Sequence, residues 1–143
     1  EMAKLKCVVS RQNDNLAQEA VAGWMAEGGM ERHLRRMLRH YQQRRSCMLT
    51  ALSGWSPRPG FVNPSGGMCF WVDCQVDTSQ LAQLAQSIGV QIRPGQDFRL
   101  DGQPSTFCRL GFAYPTPAEI EQGINLLGQA RASLIGEPQL VGM

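Results

Sequence analysis

MCFWVDC, residues 68–74, has the composition of a β-strand. Phe70, Trp71 and Val72 are aromatic or β-branched, which suits a pleated, half-buried surface better than a helix. The flanks agree. SGWSPRPGFVNPSGG, residues 53–67, is dense in Gly, Pro, Ser and Asn and reads as a loop. On the other side Asp77 or Thr78 can cap a helix in which Leu81, Leu84, Ala85 and Ile88 share one face, and Gly89 ends it.

Outward from this strand–helix pair, VQIR at residues 90–93 predicts a short apolar strand halted by Pro94 and Gly95. Residues 96–105, with Asp101, Gly102 and Pro104, predict a loop. TFCRLGFA, residues 106–113, predicts a further strand, weakened by Gly111. TPAE, residues 116–119, places a Thr cap, a Pro at the first helical position and a Glu three residues after the cap, which opens a helix carrying Ile120, Ile124 and Leu127 inward. Toward the N-terminus, Leu34, Leu38, Tyr41, Met48, Leu49 and Leu52 recur at helical spacing, so residues 30–53 predict one helix about 35 Å long at ~1.5 Å per residue. Residues 15–27 form a shorter amphipathic helix with Leu16, Ala20, Val21, Trp24 and Met25, stopped by Gly28 and Gly29. The order is helix, long helix, strand, helix, strand, strand, helix. That is an α+β domain: a small antiparallel or mixed sheet covered on one face by helices.

The 143 residues, 43% of them apolar, have the size of one domain with one core. No run of about 18 apolar residues and no signal-peptide pattern occurs, so the expectation is a cytoplasmic protein away from membranes. Cys7, Cys47, Cys69, Cys74 and Cys108 make an odd count without a C-x-x-C pair, which argues against a metal or redox site. His33 and His40 stand too far apart on one helix for a two-histidine metal site. Arg32, Arg35, Arg36, Arg39, Arg44 and Arg45 crowd the long helix, yet no base-reading motif accompanies them, and a solvated or interdomain face explains them better than nucleic acid does. Trp24, Trp55 and Trp71 read as packing or interface residues. Arg109, between Cys108 and Leu110, needs a carboxylate partner if it is buried, because an unpaired buried charge is costly.

Four segments in register then resemble one family. GGMCFWV (66–72) resembles the P-x-G-G-[MF]-F-x-W strand of fold-type I aminotransferase small domains, VQIRPGQDF (90–98) their G-V-x-[VI]-x-P-G-x-x-F turn, and CRLGFA (108–113) their x-[RI]-R-[LI]-[SN]-[FY]-[AS] strand. RHLRRMLRHYQQRR (32–45) resembles their long interdomain helix, most of all in the MocR branch of the GntR regulators, with aromatic and 2-aminoadipate aminotransferases next. The resemblance spans roughly residues 15–132.

The resemblance implies a C-terminal small domain at residues 30–133, preceded by a remnant of the large-domain side at residues 1–29 and followed by a tail at residues 134–143. It further implies that Arg109 forks the α-carboxylate of an amino-acid ligand, with Pro94 and Gly95 turning near the pocket mouth and Phe98 packing beneath the following loop. The pyridoxal phosphate of the intact parent would be bound by its large domain and not by this chain, since the only lysines, Lys4 and Lys6, lack the Ser-x-Ser-[FL]-Ser-Lys context. The parent would be a homodimer that contacts DNA, if it is a regulator, through an N-terminal winged helix-turn-helix. Alone, this chain would catalyse nothing.

Overall fold

The computed structural model describes residues 2–10 and 14–136. Its elements run α1 (Met2–Ser10), α2 (Asn15–Ala26), α3 (Gly29–Ser53), β1 (Gly60–Phe61), β2 (Cys69–Asp73), α4 (Thr78–Ser87), β3 (Arg93–Pro94), a 3-10 turn (Gly95–Phe98), β4 (Phe107–Gly111) and α5 (Pro117–Ile135). By contacts the chain divides into the units Glu1–Arg39 and His40–Met143. No helix among the described residues is long and apolar enough to cross a membrane.

The unit His40–Met143 is built on a four-stranded antiparallel sheet in the order β1-β2-β4-β3. Successive side chains of a strand point to opposite faces, and here that period sorts them cleanly. Phe70, Val72, Cys108 and Leu110 are buried, while Trp71, Phe107 and Arg109 between them are exposed. Over the buried set close Met48 and Leu52 of α3, Leu81 and Ala85 of α4, and Ile120, Ile124, Leu127 and Ala130 of α5. Each large side chain sealed there contributes about 1.5–3 kcal/mol.

The helix ends follow their capping residues. Asp77 accepts from Ser79 N at 2.8 Å and starts α4, which frees Thr78 for another task. Thr116 and Glu119 form the complete capping box of α5, and Gly136 closes that helix in a left-handed conformation.

Three features depart from the sequence expectations. The strand expected at residues 90–93 is only Arg93–Pro94, because residues 88–90 still bond back to the end of α4, with Val90 N donating to Ala85 O at 2.8 Å. Pro94 is tolerated in a strand because β3 is an edge. The loop at residues 53–67 hides the two-residue strand β1, too short for any periodicity to announce. Leu34 and Leu38 of α3 remain exposed although they share the expected stripe; spacing specifies a helix, not a partner for each turn.

In the unit Glu1–Arg39, α2 has no buried residue, and Leu16 is 82% exposed. Trp24 lies against Gly29, where a Cβ would clash with the indole, and edge-on to His33.

Candidate functional site

Arg109 projects from the uncovered face of the sheet. It stands directly opposite Trp71 of β2 and Arg93 of β3, so the three form one row across the strands. Its guanidinium carbon lies 5.6 Å from the centre of the Phe98 ring. Among the described residues it meets no carboxylate and no hydrogen-bond acceptor within the distances of such contacts. The buried ion pair that an apolar neighbourhood suggested is not what the fold requires, because the strand's alternation turns Arg109 outward while Cys108 and Leu110 turn in.

The 3-10 turn Gly95–Phe98 hangs over this row and supplies two side chains to it. Phe98 lies under Arg109 and edge-on to Trp71, with ring centres 5.4 Å apart. Asp97 approaches Arg93 at 3.9 Å. Trp71 also stacks on Phe107 at 5.9 Å. Phe98 and Trp71 remain 48% and 43% exposed, which marks the patch as surface available to something else.

Gly95 and Thr78 fix the turn in place. A Cβ at Gly95 would lie 2.5 Å from the Phe107 carbonyl oxygen, so only glycine admits this approach of the turn to β4. Gly95 N donates to Thr78 Oγ1 at 3.3 Å. Thr78 Oγ1 lies 2.7 Å from Ser105 O and 2.8 Å from Phe107 O, and its single proton serves one of them at a time. Thr78 is fully buried, and as the residue after a helix cap it carried no sequence signal for this role.

A second arginine, on α5, carries no motif in the sequence that marks it. Arg131 is 1% exposed and donates to Cys74 O at 2.6 Å, Pro57 O at 2.8 Å and Gln75 Oε1 at 2.9 Å, with Trp55 beneath it at 5.4 Å. Its spacing after Ile120, Ile124 and Leu127 continues the inner face of α5 and was the available clue. Of the arginine-rich helix, Arg44 bonds Ala113 O, and Arg45 bonds Pro64 O and Asn63 Oδ1, so these two anchor loops. Cys74 and Cys108 bring their sulfurs to 3.4 Å as buried free thiols, an approach their distance in sequence concealed. The hydrogen bond with the neighbouring Cys74 thiol, and then burial, push the Cys108 thiol far up, which makes it unreactive. No group of three or more His, Cys, Asp or Glu among the described residues could hold a metal ion.

A groove of about 590 Å³ opens on the other side of the unit, between the turn after α4 and the first half of α5. Ile88, Val90, Ile92, Leu110 and Ile120 line it, and its one charged residue is Glu119. It offers no cation to a carboxylate.

No protein-family model matches the chain. It is 28% identical over 131 residues to an uncharacterized aminotransferase of Saccharolobus solfataricus, an alignment covering 90% of this chain and 33% of that protein. It is 25% identical to the uncharacterized HTH-type transcriptional regulator YjiR of Escherichia coli, over 91% of this chain and 28% of that protein. It superposes on the α-aminoadipate aminotransferase LysN of Thermus thermophilus with a TM-score of 0.80 and 28% identity, over 93% of this chain and 35% of that one. The relatives therefore include both aminotransferases and MocR/GntR-type regulators, and the fold is that of the aminotransferase small domain. The chain spans about a third of the length of the curated relatives it matches.

Proposed function

We propose that this chain belongs to the effector part of a pyridoxal-phosphate-dependent transcriptional regulator of the GntR/MocR type, in which Arg109 takes the α-carboxylate of an amino-acid effector. The observation that carries the reading is the state of Arg109: a guanidinium on an uncovered sheet face, laid on Phe98, with its fork of donors engaged by no acceptor among the described residues. A planar fork matches a carboxylate in two parallel hydrogen bonds, which a lysine cannot reproduce. The ring beneath it holds the plane in place, so less side-chain freedom is lost on binding. Pro94, Gly95 and Phe98 act through that arginine: Pro94 and Gly95 seat the turn against β4, and Phe98 supports the guanidinium.

The similarity to helix-turn-helix regulators over nine-tenths of the chain supports the regulatory reading. The similarity to aminotransferases supports an alternative in which the same arginine clamps the substrate of a working transaminase. In either case residues 30–133 act as the small domain and residues 1–29 adjoin the large domain; of the tail expected at residues 134–143, residues 134 and 135 belong to α5, Gly136 caps that helix, and 137–143 lie outside the described residues.

Pyridoxal phosphate, when bound, supplies an electron sink for the amino acid attached to it. The residues of this chain do not fit as its seat. The unit His40–Met143 contains no lysine, and Lys4 and Lys6 lie in α1. The cofactor, the dimer contact and a winged helix-turn-helix for DNA would belong to the rest of the parent polypeptide.

The test uses that full-length polypeptide loaded with pyridoxal phosphate. Amino acids should change its absorbance, and Arg109→Ala should abolish the change while the cofactor stays bound. An unaltered response in Arg109→Ala removes the reading. Effector-dependent affinity for operator DNA, against release of a 2-oxo acid, separates regulator from enzyme.

A further inference from the structure

Arg109 is not the only exposed arginine that meets no acid. Arg32, Arg35, Arg36 and Arg39 of α3 stand at i, i+3, i+4 and i+7, so at about 3.6 residues per turn they form one stripe about 10 Å long. All four are exposed. Arg32 donates to Glu27 O at 3.0 Å, a bond that leaves its charge unneutralised. Arg35, Arg36 and Arg39 meet no carboxylate among the described residues, where the ion pairs join Arg93 to Asp97 and Arg99 to Asp101. Like charges at these spacings disfavour a helix, so the stripe does not serve the stability of α3. The sequence left a solvated or an interdomain face open for it, and α3 itself separates the two. Leu34 and Leu38, 50% and 56% exposed, lie on the other side of the helix. Exposed apolar surface seeks cover, so the rest of the parent polypeptide takes the leucine side and leaves the arginine side to solvent.

Resting on the regulator reading, we infer that this stripe is a track for the phosphate backbone of duplex DNA, adding to the contact that a winged helix-turn-helix makes with the operator. A duplex carries one negative charge per about 1.7 Å of its axis, so the length of the stripe faces about six of them. A guanidinium forks two phosphate oxygens as it does a carboxylate. Backbone contacts carry no sequence information, which fits residues 32–39: cations with neither a base-reading motif nor a Phe, Trp or Tyr to stack on bases. An acidic protein surface would have to place carboxylates to match the helical spacing, whereas any duplex supplies its charges at constant density. The stripe therefore adds affinity, and the choice of sequence stays with the winged helix.

The test is fluorescence anisotropy of the full-length polypeptide on a labelled random-sequence duplex of about 40 base pairs, repeated from about 50 to about 200 mM NaCl. The triple variant Arg35→Gln, Arg36→Gln, Arg39→Gln should bind about tenfold or more weakly, and its slope of log affinity against log salt should be shallower by about 2–3, since each lost phosphate contact removes about 0.9. The triple variant Arg35→Lys, Arg36→Lys, Arg39→Lys keeps the charges and should keep the wild-type slope. Arg58→Gln, at an exposed arginine outside α3, should shift the slope by less than about 0.5. An unchanged slope in the glutamine triple, with wild type binding, overturns the DNA track and leaves the regulator reading standing; an acidic protein surface then becomes the partner to seek. A lysine triple as weak as the glutamine triple, or a shift in Arg58→Gln as large per residue, also overturns the track, because the fold or the net charge is then what acts. A wild type that binds no duplex at any of these salt concentrations overturns the regulator reading and this inference with it.

Discussion

Two arginines in this molecule lie over aromatic rings at nearly the same distance, Arg131 at 5.4 Å from Trp55 and Arg109 at 5.6 Å from Phe98, and they do opposite things. Arg131 is sealed on the helix-covered side, where it ties α5 to the ends of two loops through three acceptors. Arg109 lies exposed on the uncovered side, with no acceptor engaging its donors among the described residues. The same residue type on the same kind of platform is structural where acceptors surround it and available where they do not. The difference comes from which side of one sheet each residue meets, and in a strand that is settled by a single residue of register.

The comparison can be broken most severely on the covered side. Phe70→Ala should cost about 3–5 kcal/mol, whereas Trp71→Ala, one residue along and facing outward, should cost well under half as much; urea denaturation of the two variants gives the ratio. Comparable losses would mean that the uncovered face is part of the core. Arg131→Leu should cost about 3 kcal/mol by leaving buried carbonyls without donors, measured in the same way. Arg109→Leu should change stability by no more than about 0.5 kcal/mol.

A finer test addresses the turn between the two faces. Gly95→Ala should cost about 1–3 kcal/mol by driving a methyl group into the Phe107 carbonyl, and it should weaken amino-acid binding even though Gly95 is buried away from the ligand. A smaller effect than that of the turn concerns α5. Thr116→Ala should cost about 1 kcal/mol. The backbone N–H of Thr116 and then its hydroxyl hold the Glu119 carboxyl below its ordinary range. Its folded state therefore prefers the charged form, so this contribution is present above the usual carboxylate pKa and disappears as pH falls through the lowered value. Glu119→Gln should flatten the acid limb of the stability curve; an unchanged limb would show that the capping box does not titrate.

Much of this was readable in the residues. The strand at 68–74, the Asp77 or Thr78 cap and the TPAE helix start each rest on local chemistry that operates whatever surrounds it, and each appears within a residue or two. Arg109 is marked by its strand motif and the turn residues by theirs. The contacts linking them were not readable, because they depend on register: that Arg93 and Trp71 flank Arg109 follows from how β2, β4 and β3 align, which no single segment encodes. Thr78 and Arg131 were missed for a related reason. Each is a polar residue at a core position, and its acceptors come from segments 27 to 74 residues away in sequence.

The ends of the sheet carry a last consequence. A layer that leaves Trp71, Phe98 and Phe107 uncovered would invite other chains to add strands if its borders were long. Both borders are two residues long, and Pro94 in β3 has no N–H to offer a newcomer. The sheet can thus leave an aromatic, cationic face uncovered without becoming a template for aggregation.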